Sequence, residues 1–555
     1  MSTARTIGGA LVDAAAGSRG LRFIEHDGTT STLSYRDLHD DACRVAGALV
    51  SAGLTQGDRV ALVNHDVRGF VRSFFGIVAA GLTPVPLAPP TQAGDLSTFS
   101  RQSQHILTAS RAAAVLTTAD IAPLLGTTAP DAPTAPTARV LDLDALDLTG
   151  ALDHPRTVDL AQTALLQFTS GSTAAPKGVV LTHANISANV DAIRGPGGLR
   201  ASAADDVAVS WLPLYHDMGL IGMLLAALYG GIEAVLLSPV LFLKRPTAWL
   251  DALSRYQGTI SFAPNFAYDL CRRRVKSTQL AALDLSRWRV AGCGAEPVRP
   301  DTLRLFADYF APAGFRATSF VPSYGLAEAS LAVSFATGGV HVDIVDAERL
   351  VREQRAVPVV NGAPAVRVVR CGLTIPGHDL RIVNEHGAPL PERHVGSILV
   401  KGPSIMQGYF EQPEATADTL RDGWLFTGDL GYIADGSLYV CGRTKDLIIR
   451  QGRKYYPPDI EASLADLQGV PLSGVVVFAS QHLEDADEVV AVLETRAGAR
   501  GLDVEEAVRR RVRETAGLEI DRVVFTAPGT IPRTTSGKVR RAETRERLEA
   551  GTLVR

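Results

Sequence analysis

The sequence predicts an α/β protein with more than one domain. Three observations carry this. Short apolar runs alternate with helical periodicity over about the first 120 residues, the β-α-β rhythm of a layered fold. At 555 residues the chain is too long for a single hydrophobic core. Beyond about residue 446 the pattern changes to two strand-like runs and one charged helix, a smaller α+β unit.

The elements follow in order. Residues 35–54 have helical periodicity that stops at Gly53-Leu54, and Arg59-Val60-Ala61-Leu62-Val63 reads as a strand. A second helix is expected over 70–80, then a strand at Val85-Pro86-Leu87. Residues 126–138, rich in Pro, Thr and Ala without periodicity, read as an exposed loop. Ala164-Leu165-Leu166-Gln167-Phe168 and Gly178-Val179-Val180-Leu181 read as strands, with a helix after Thr182 that ends near Gly195-Pro196-Gly197. In the last part, Val475-Val476-Val477-Phe478 and Val489-Val490-Ala491-Val492-Leu493 are expected strands, and 504–515 a helix. The expected division is an N-terminal domain over 1–442, a junction at 443–446 and a C-terminal domain over 447–555. No internal repeat is visible.

Composition excludes several function classes. Hydrophobic residues make up 46% and charged residues 21%, and the net charge is −4, so no basic field favours nucleic acid or an anionic membrane. The N-terminus lacks the charged-then-apolar pattern of a signal peptide, and no transmembrane segment is expected; 219–237 comes closest but is broken by Tyr229-Gly230-Gly231 and Glu233. The five cysteines are scattered and odd in number, with no C-x-x-C pair, which suits a reducing, cytoplasmic location.

The richest chemistry lies in Thr169-Ser170-Gly171-Ser172-Thr173-Ala174-Ala175-Pro176-Lys177-Gly178. Four hydroxyls, two glycines and a lysine within ten positions suit an anion-binding loop. A P-loop would follow its lysine with Ser or Thr and a helix. Here a second strand follows Lys177, so the arrangement is strand, loop, strand.

Further polar clusters stand between apolar runs in a fixed order. They are 211–220 (WLPLYHDMGL), 292–297 (GCGAEP), 323–328 (SYGLAE), 423–429 (GWLFTGD), 442–446 (GRTKD) and 532–538 (PRTTSGK). Together with 169–178 they resemble, in order, the signatures of the adenylate-forming superfamily: acyl-CoA synthetases, adenylation domains and luciferase-like enzymes. The resemblance runs from about Tyr35 to Arg541. It implies a large N-terminal adenylate-forming domain of several subdomains and a small mobile α+β C-terminal lid. It also implies a reaction in which a carboxylate attacks the α-phosphorus of ATP and expels pyrophosphate. Two anions must meet, so positive groups and a metal are needed.

By resemblance, Thr169, Ser170, Gly171, Ser172, Thr173 and Lys177 hold the outer phosphates, and Glu328 holds Mg²⁺, a hard cation that suits a carboxylate. Tyr324, within Ser323-Tyr324-Gly325, stacks on adenine, and Gly294-Ala295-Glu296 lines the base. Asp429 accepts from the ribose hydroxyls, since one carboxylate can take two hydrogen bonds; Arg443 reaches the same sugar. Lys538 is the implied catalytic lysine, its compact ammonium bridging carboxylate and α-phosphate. His216 stands at the mouth of the acyl site. Lys445 falls at the hinge about which the C-terminal domain rotates.

Finer features resemble the fatty acyl-AMP ligases within that superfamily. They include 212–222, 242–250 (FLKRPTAWL), 263–268 (APNFAY) and 322–329. Extra length at about 341–369 sits where those ligases carry an insertion that docks on the C-terminal domain and accompanies poor use of coenzyme A. The resemblance then implies a fatty acid substrate, ATP and Mg²⁺ as cofactors, and transfer of the acyl group to the phosphopantetheine arm of an acyl carrier protein. Two other readings remain: a fatty acyl-CoA synthetase, and a non-catalytic adenylate-binding scaffold. Amino-acid adenylation fits less well, because 261–265 lacks an Asp to receive an amine. The acyl pocket should be apolar, and Leu214, Met218, Ile221, Met223, Leu224 and Phe262 are candidates to line it, each of which also suits a plain core position. One departure is Val395-Gly396-Ser397-Ile398, where the superfamily usually has Gly-Glu.

Overall fold

The computed structural model describes residues 4–90, 96–125, 138–169, 176–360, 363–450, 453–465, 467, 470, 472–481, 487–495, 502–534 and 538–553. The expected rhythm appears, with shifted ends. The first long helix is Tyr35–Ser51, capped by Ser34, whose hydroxyl accepts from the Asp37 N–H. The strand Arg59–Leu62, the helix Val67–Ala79 and the strand Thr83–Pro86 follow. Arg59–Leu62 pairs in parallel with Thr83–Pro86 and Ala114–Thr117, giving a four-stranded sheet with Arg139–Asp142 at its edge. The loop expected at 126–138 lies outside the described residues except for Ala138.

The largest sheet has two halves. In the first, Glu233–Leu237, Val207–Ser210, Ile260–Ala263, Val290–Cys293 and Phe320–Gly325 run parallel. Parallel strands covered on both faces need continuous apolar runs, and all four residues of Ile260–Ala263 and of Val290–Cys293 are buried. At Ala332–Phe335 the pairing turns antiparallel and continues through Ala365–Thr374, Ser437–Arg443 and Trp424–Ala434. Both halves contribute to the wall of the main cavity, the first through Phe262, Ser323 and Tyr324 and the second through Phe335, Thr427 and Arg443.

Thr163–Phe168 and Gly178–Thr182 form an antiparallel pair with Gly408–Tyr409 on its edge. The helix His183–Arg194 starts at Thr182 through a capping box with Asn185. Met218–Leu225 winds as a π-helix, a wide turn common at functional sites. No helix among the described residues is long and apolar enough to cross a membrane.

Residues after 446 build their own small core. Leu472–Gln481, Asp487–Thr495 and Arg522–Thr526 form a three-stranded sheet. The helices Pro457–Ala465 and Leu502–Ala516 cover it through Ile460, Leu464, Val508 and Val512. Arg541, near-buried, ties this unit together: it donates to Asp446 at 2.8 Å, Glu461 at 2.7 Å and the Val477 carbonyl at 3.0 Å. The segment at 341–369 forms an antiparallel hairpin, Val342–Asp346 against Ala365–Thr374, with the helix Ala347–Glu353 between. Val351 packs on the small core, and Tyr456 Oη donates to Gln354 Oε1 at 2.9 Å. At the departure from the superfamily pattern, Ser397 is a half-buried strand residue opposite Val383.

Candidate active site

A cavity of about 1790 Å³ lies where the two halves of the large sheet, the antiparallel pair and the C-terminal unit meet. Thr169, Lys177, His216, Ala295, Ser323, Tyr324, Gly325, Glu328, Arg443, Lys445 and Lys538 all line it. Residues separated by up to 369 positions are thus brought to one space (538 − 169). Ser170, Gly171, Ser172 and Thr173 lie outside the described residues, but both ends of their loop are held: Thr169 N–H donates to the Lys177 carbonyl at 3.0 Å.

Glu328 and Lys177 meet through a residue the sequence reading passed over. Tyr409 Oη donates to Glu328 Oε1 at 2.9 Å, and Lys177 Nζ stands 4.7 Å from the Tyr409 ring centroid. Tyr409 arrives there because Gly408–Tyr409 adds to the strand that carries Lys177's neighbours. The only signal for it was its position in a Gly-Tyr-Phe run beside the other clusters.

Asp429 sits one layer behind the cavity wall and is 7% exposed. Tyr324 Oη donates to its Oδ2 at 2.6 Å, and Arg443 Nε to its Oδ1 at 3.1 Å. Burial first, and then the Asp429 charge, push the Tyr324 phenol far up, so it remains a donor. Each carboxylate oxygen keeps a second lone pair for another donor. Gly294 and Glu296 are also outside the cavity lining. Gly294 lets two strands close, since a Cβ there would lie 2.7 Å from Ser323 Oγ. Glu296 Oε1 accepts from the Phe266 N–H at 2.8 Å, and burial raises its carboxyl. Between them Ala295 faces the cavity at φ 71°, a strained conformation for a residue with a Cβ.

His216, Asp217 and Lys538 form the third group. Enclosure by the cleft walls lowers the His216 imidazole to about 3, and the Lys538 ammonium pushes the same way. Burial raises the Asp217 carboxyl, and Lys538 opposes that rise. Asp217 also accepts from the Met218 N–H at 2.8 Å. Lys538 sits on a turn closed by Thr534, whose N–H donates to the Lys538 carbonyl at 2.7 Å and whose Oγ1 accepts from the Lys538 N–H at 3.0 Å. Lys445 is exposed in the cleft, with its ammonium lowered by partial burial and by Arg443.

The apolar candidates divide between the cavity and the core. Leu214, Met218 and Phe262 line the cavity, whereas Ile221, Met223 and Leu224 are core residues. The π-helix turns Met218, Gly219 and Gly222 toward the space and the other three into the interior. Trp211 backs the lining, stacked on Phe242 at 3.8 Å between centroids.

Comparison with known proteins places this geometry. The AMP-binding enzyme family matches residues 12–410, and the family described as Disco-interacting protein 2-like, AMP domain, matches 445–554. A Caulobacter vibrioides protein whose name assigns it provisionally to acyl-CoA synthetases is 38% identical over 99% of this chain and 96% of its own. The medium-chain-fatty-acid–[acyl-carrier-protein] ligase JamA of Moorena producens is 34% identical over 94% of this chain and 91% of its own. A solved structure from a study of fatty acyl-adenylate ligases of E. coli and L. pneumophila superposes with a TM-score of 0.89 at 38% identity, covering 98% of both chains.

Proposed function

The chain belongs to the AMP-binding enzymes, and on that premise we propose that it activates a fatty acid with ATP and passes the acyl group to a carrier protein's thiol. The first step makes an acyl-adenylate: a carboxylate oxygen bonds to the α-phosphorus, and the bond to the bridging β-oxygen breaks. Pyrophosphate leaves with that electron pair; in the second step the thiol gives up its proton, its sulfur bonds to the acyl carbon, and the acyl–oxygen bond to the phosphate breaks to release AMP. The observation that carries the reading is the convergence of Lys177, Glu328, Tyr324, Arg443, His216 and Lys538 on one cavity with an apolar arm.

The assignments follow from charge and reach. Lys177 and the hydroxyl-rich loop it closes draw the β- and γ-phosphates. Arg443 and Asp429 address the ribose, and Tyr324 presents its ring to the base beside Ala295. Lys538 carries the only one of these cations that adjoins both His216 and Asp217 at the acyl end, so its ammonium meets the negative charge shared between carboxylate and α-phosphate. A neutral His216 does not repel that ammonium. Glu328 fits Mg²⁺: Mg²⁺ uses one or two carboxylates and fills its shell with phosphate oxygens and water, and Tyr409 orients this one. The ion, held by Glu328, would neutralise phosphate charge as pyrophosphate departs.

Carrier protein is favoured over coenzyme A as acceptor by the hairpin at 341–369. Its contacts with the small core and with Tyr456 support a restraint on C-terminal rotation. The name of the Caulobacter relative supports the other acceptor. Hydroxylamine trapping with a fatty acid and ATP tests the first step. Parallel assays with coenzyme A and with holo carrier protein test the second. Faster thioester formation on coenzyme A would replace the carrier assignment, and absence of fatty-acid-dependent pyrophosphate release would replace the enzyme assignment with an adenylate-binding scaffold.

A further inference from the structure

We propose that Phe335 sets the length of acyl chain this site accepts, by closing the acyl arm of the cavity against a second cavity that would prolong it. The proposal rests on the fatty-acid reading above. Phe335 lines the main cavity together with Ile193 and Phe262. It also lines a separate cavity of about 450 Å³, bounded by the apolar Val321, Leu373 and Ile375 and by the polar Arg200, Arg289 and Thr337. One ring therefore has cavity on both sides.

Its neighbour cannot yield in its place. Phe262 lies over Gly292, where a Cβ would come within 2.0 Å of the Phe262 ring, so that ring is set flat on the strand. The two rings meet edge to face at 6.2 Å. Phe335 ends the strand Ala332–Phe335 and stands opposite Leu373, which is 62% exposed at the outer cavity. Removing the Phe335 ring joins the two spaces and leads the acyl arm past Leu373 toward the surface. An acyl tail gains about fourfold in binding per methylene seated, equivalent to ~0.8 kcal/mol. Seating two to four more methylenes against Val321, Leu373 and Ile375 is then worth on the order of tenfold to a few hundredfold.

The test is a panel of octanoate, dodecanoate, hexadecanoate and octadecanoate, read as acyl hydroxamate with ATP and hydroxylamine. F335A is expected to raise the hexadecanoate-to-dodecanoate ratio of kcat/KM by on the order of tenfold or more over the parent. The double variant F335A/L373W refills the outer cavity and is expected to return the ratio to the parent value. Should F335A melt early, F335V trims the same ring and carries the same comparison. An equal change at every length, or a gain that survives L373W, overturns the role of Phe335. If the parent protein makes hydroxamate from none of the four acids, the fatty-acid reading itself falls.

Discussion

Lys538→Met removes one positive charge from the cleft and leaves its methylene stem. A unit charge about 4 Å from developing negative charge, at an effective dielectric near 20, interacts by ~4 kcal/mol. Loss of one preorganised donor in comparable sites costs about 10²–10³ in rate. The expected outcome is therefore a fall on the order of a hundred- to a thousandfold in single-turnover adenylation. ATP affinity should hold, because Lys177, Tyr324, Asp429 and Arg443 stand elsewhere in the cleft. A second readout follows from His216. Its imidazole is lowered to about 3 by burial and by Lys538. Without Lys538 only burial lowers it, so the His216 midpoint rises toward its ordinary value and protonation begins at higher pH. The acidic limb of the residual rate should accordingly move to higher pH. The assay is rapid-quench hydroxamate formation across pH, with ATP binding followed separately. Near-normal adenylation, or a rate loss with an unmoved acidic limb, would refute the placement of this ammonium.

Four further outcomes are expected. Asp429→Asn weakens two charge-assisted bonds, to Tyr324 and Arg443, and should raise the KM for ATP by about ten- to a hundredfold, with little change in fatty-acid KM. Tyr409→Phe frees Glu328 from its orienting hydroxyl and should raise the Mg²⁺ needed for half-maximal rate by about tenfold, measured by metal titration. Arg541→Met leaves Asp446 and Glu461 without their near-buried cation and should destabilise the C-terminal unit by about 3–5 kcal/mol, read by urea unfolding. Lys445→Pro fixes φ within the short turn Thr444–Asp446 and should leave adenylation intact while slowing acyl transfer, measured by comparing hydroxamate and thioester yields.

Local pattern carried the parts of the site that local sequence can encode. The strands flanking the phosphate loop and the helix beginning at Thr182 needed only an apolar run and a capping box. The apolar arm was legible only as a set of candidates. Met218, Ile221, Met223 and Leu224 fall in one apolar run, and composition does not say which of them the π-helix turns toward the space and which it buries. Tyr409 and Asp217 were passed over for another reason. Their contacts span 81 residues to Glu328 in one case and depend on Lys538, far along the chain, in the other. Phe335 was not singled out in the sequence, since only packing reveals space on both sides of a ring.

The junction between the two parts of the chain has a sharp change of allegiance. Arg443 is held by Asp429, on the strand Trp424–Ala434 of the large sheet. Asp446, three residues on, is held by Arg541 at the start of the helix Arg541–Glu549, in the small unit. Only Thr444 and Lys445 lie between these anchors. A rotation of the small unit must therefore concentrate its backbone change in those two residues, because Arg443 and Asp446 each move with a different body. The same unit carries Lys538, on the turn held by Thr534. On the roles proposed above for Lys538 and Arg443, we propose that a pivot at Lys445 withdraws the ammonium from the acyl end after adenylation and leaves Arg443 with the large sheet. The hairpin opposes that motion, since its second strand belongs to the large sheet while Val351 packs on the small core and Gln354 holds Tyr456. Acceptor choice then becomes an energetic question: a carrier protein that contributes its own binding surface can offset the cost of breaking this contact, whereas free coenzyme A brings a smaller surface with which to do so.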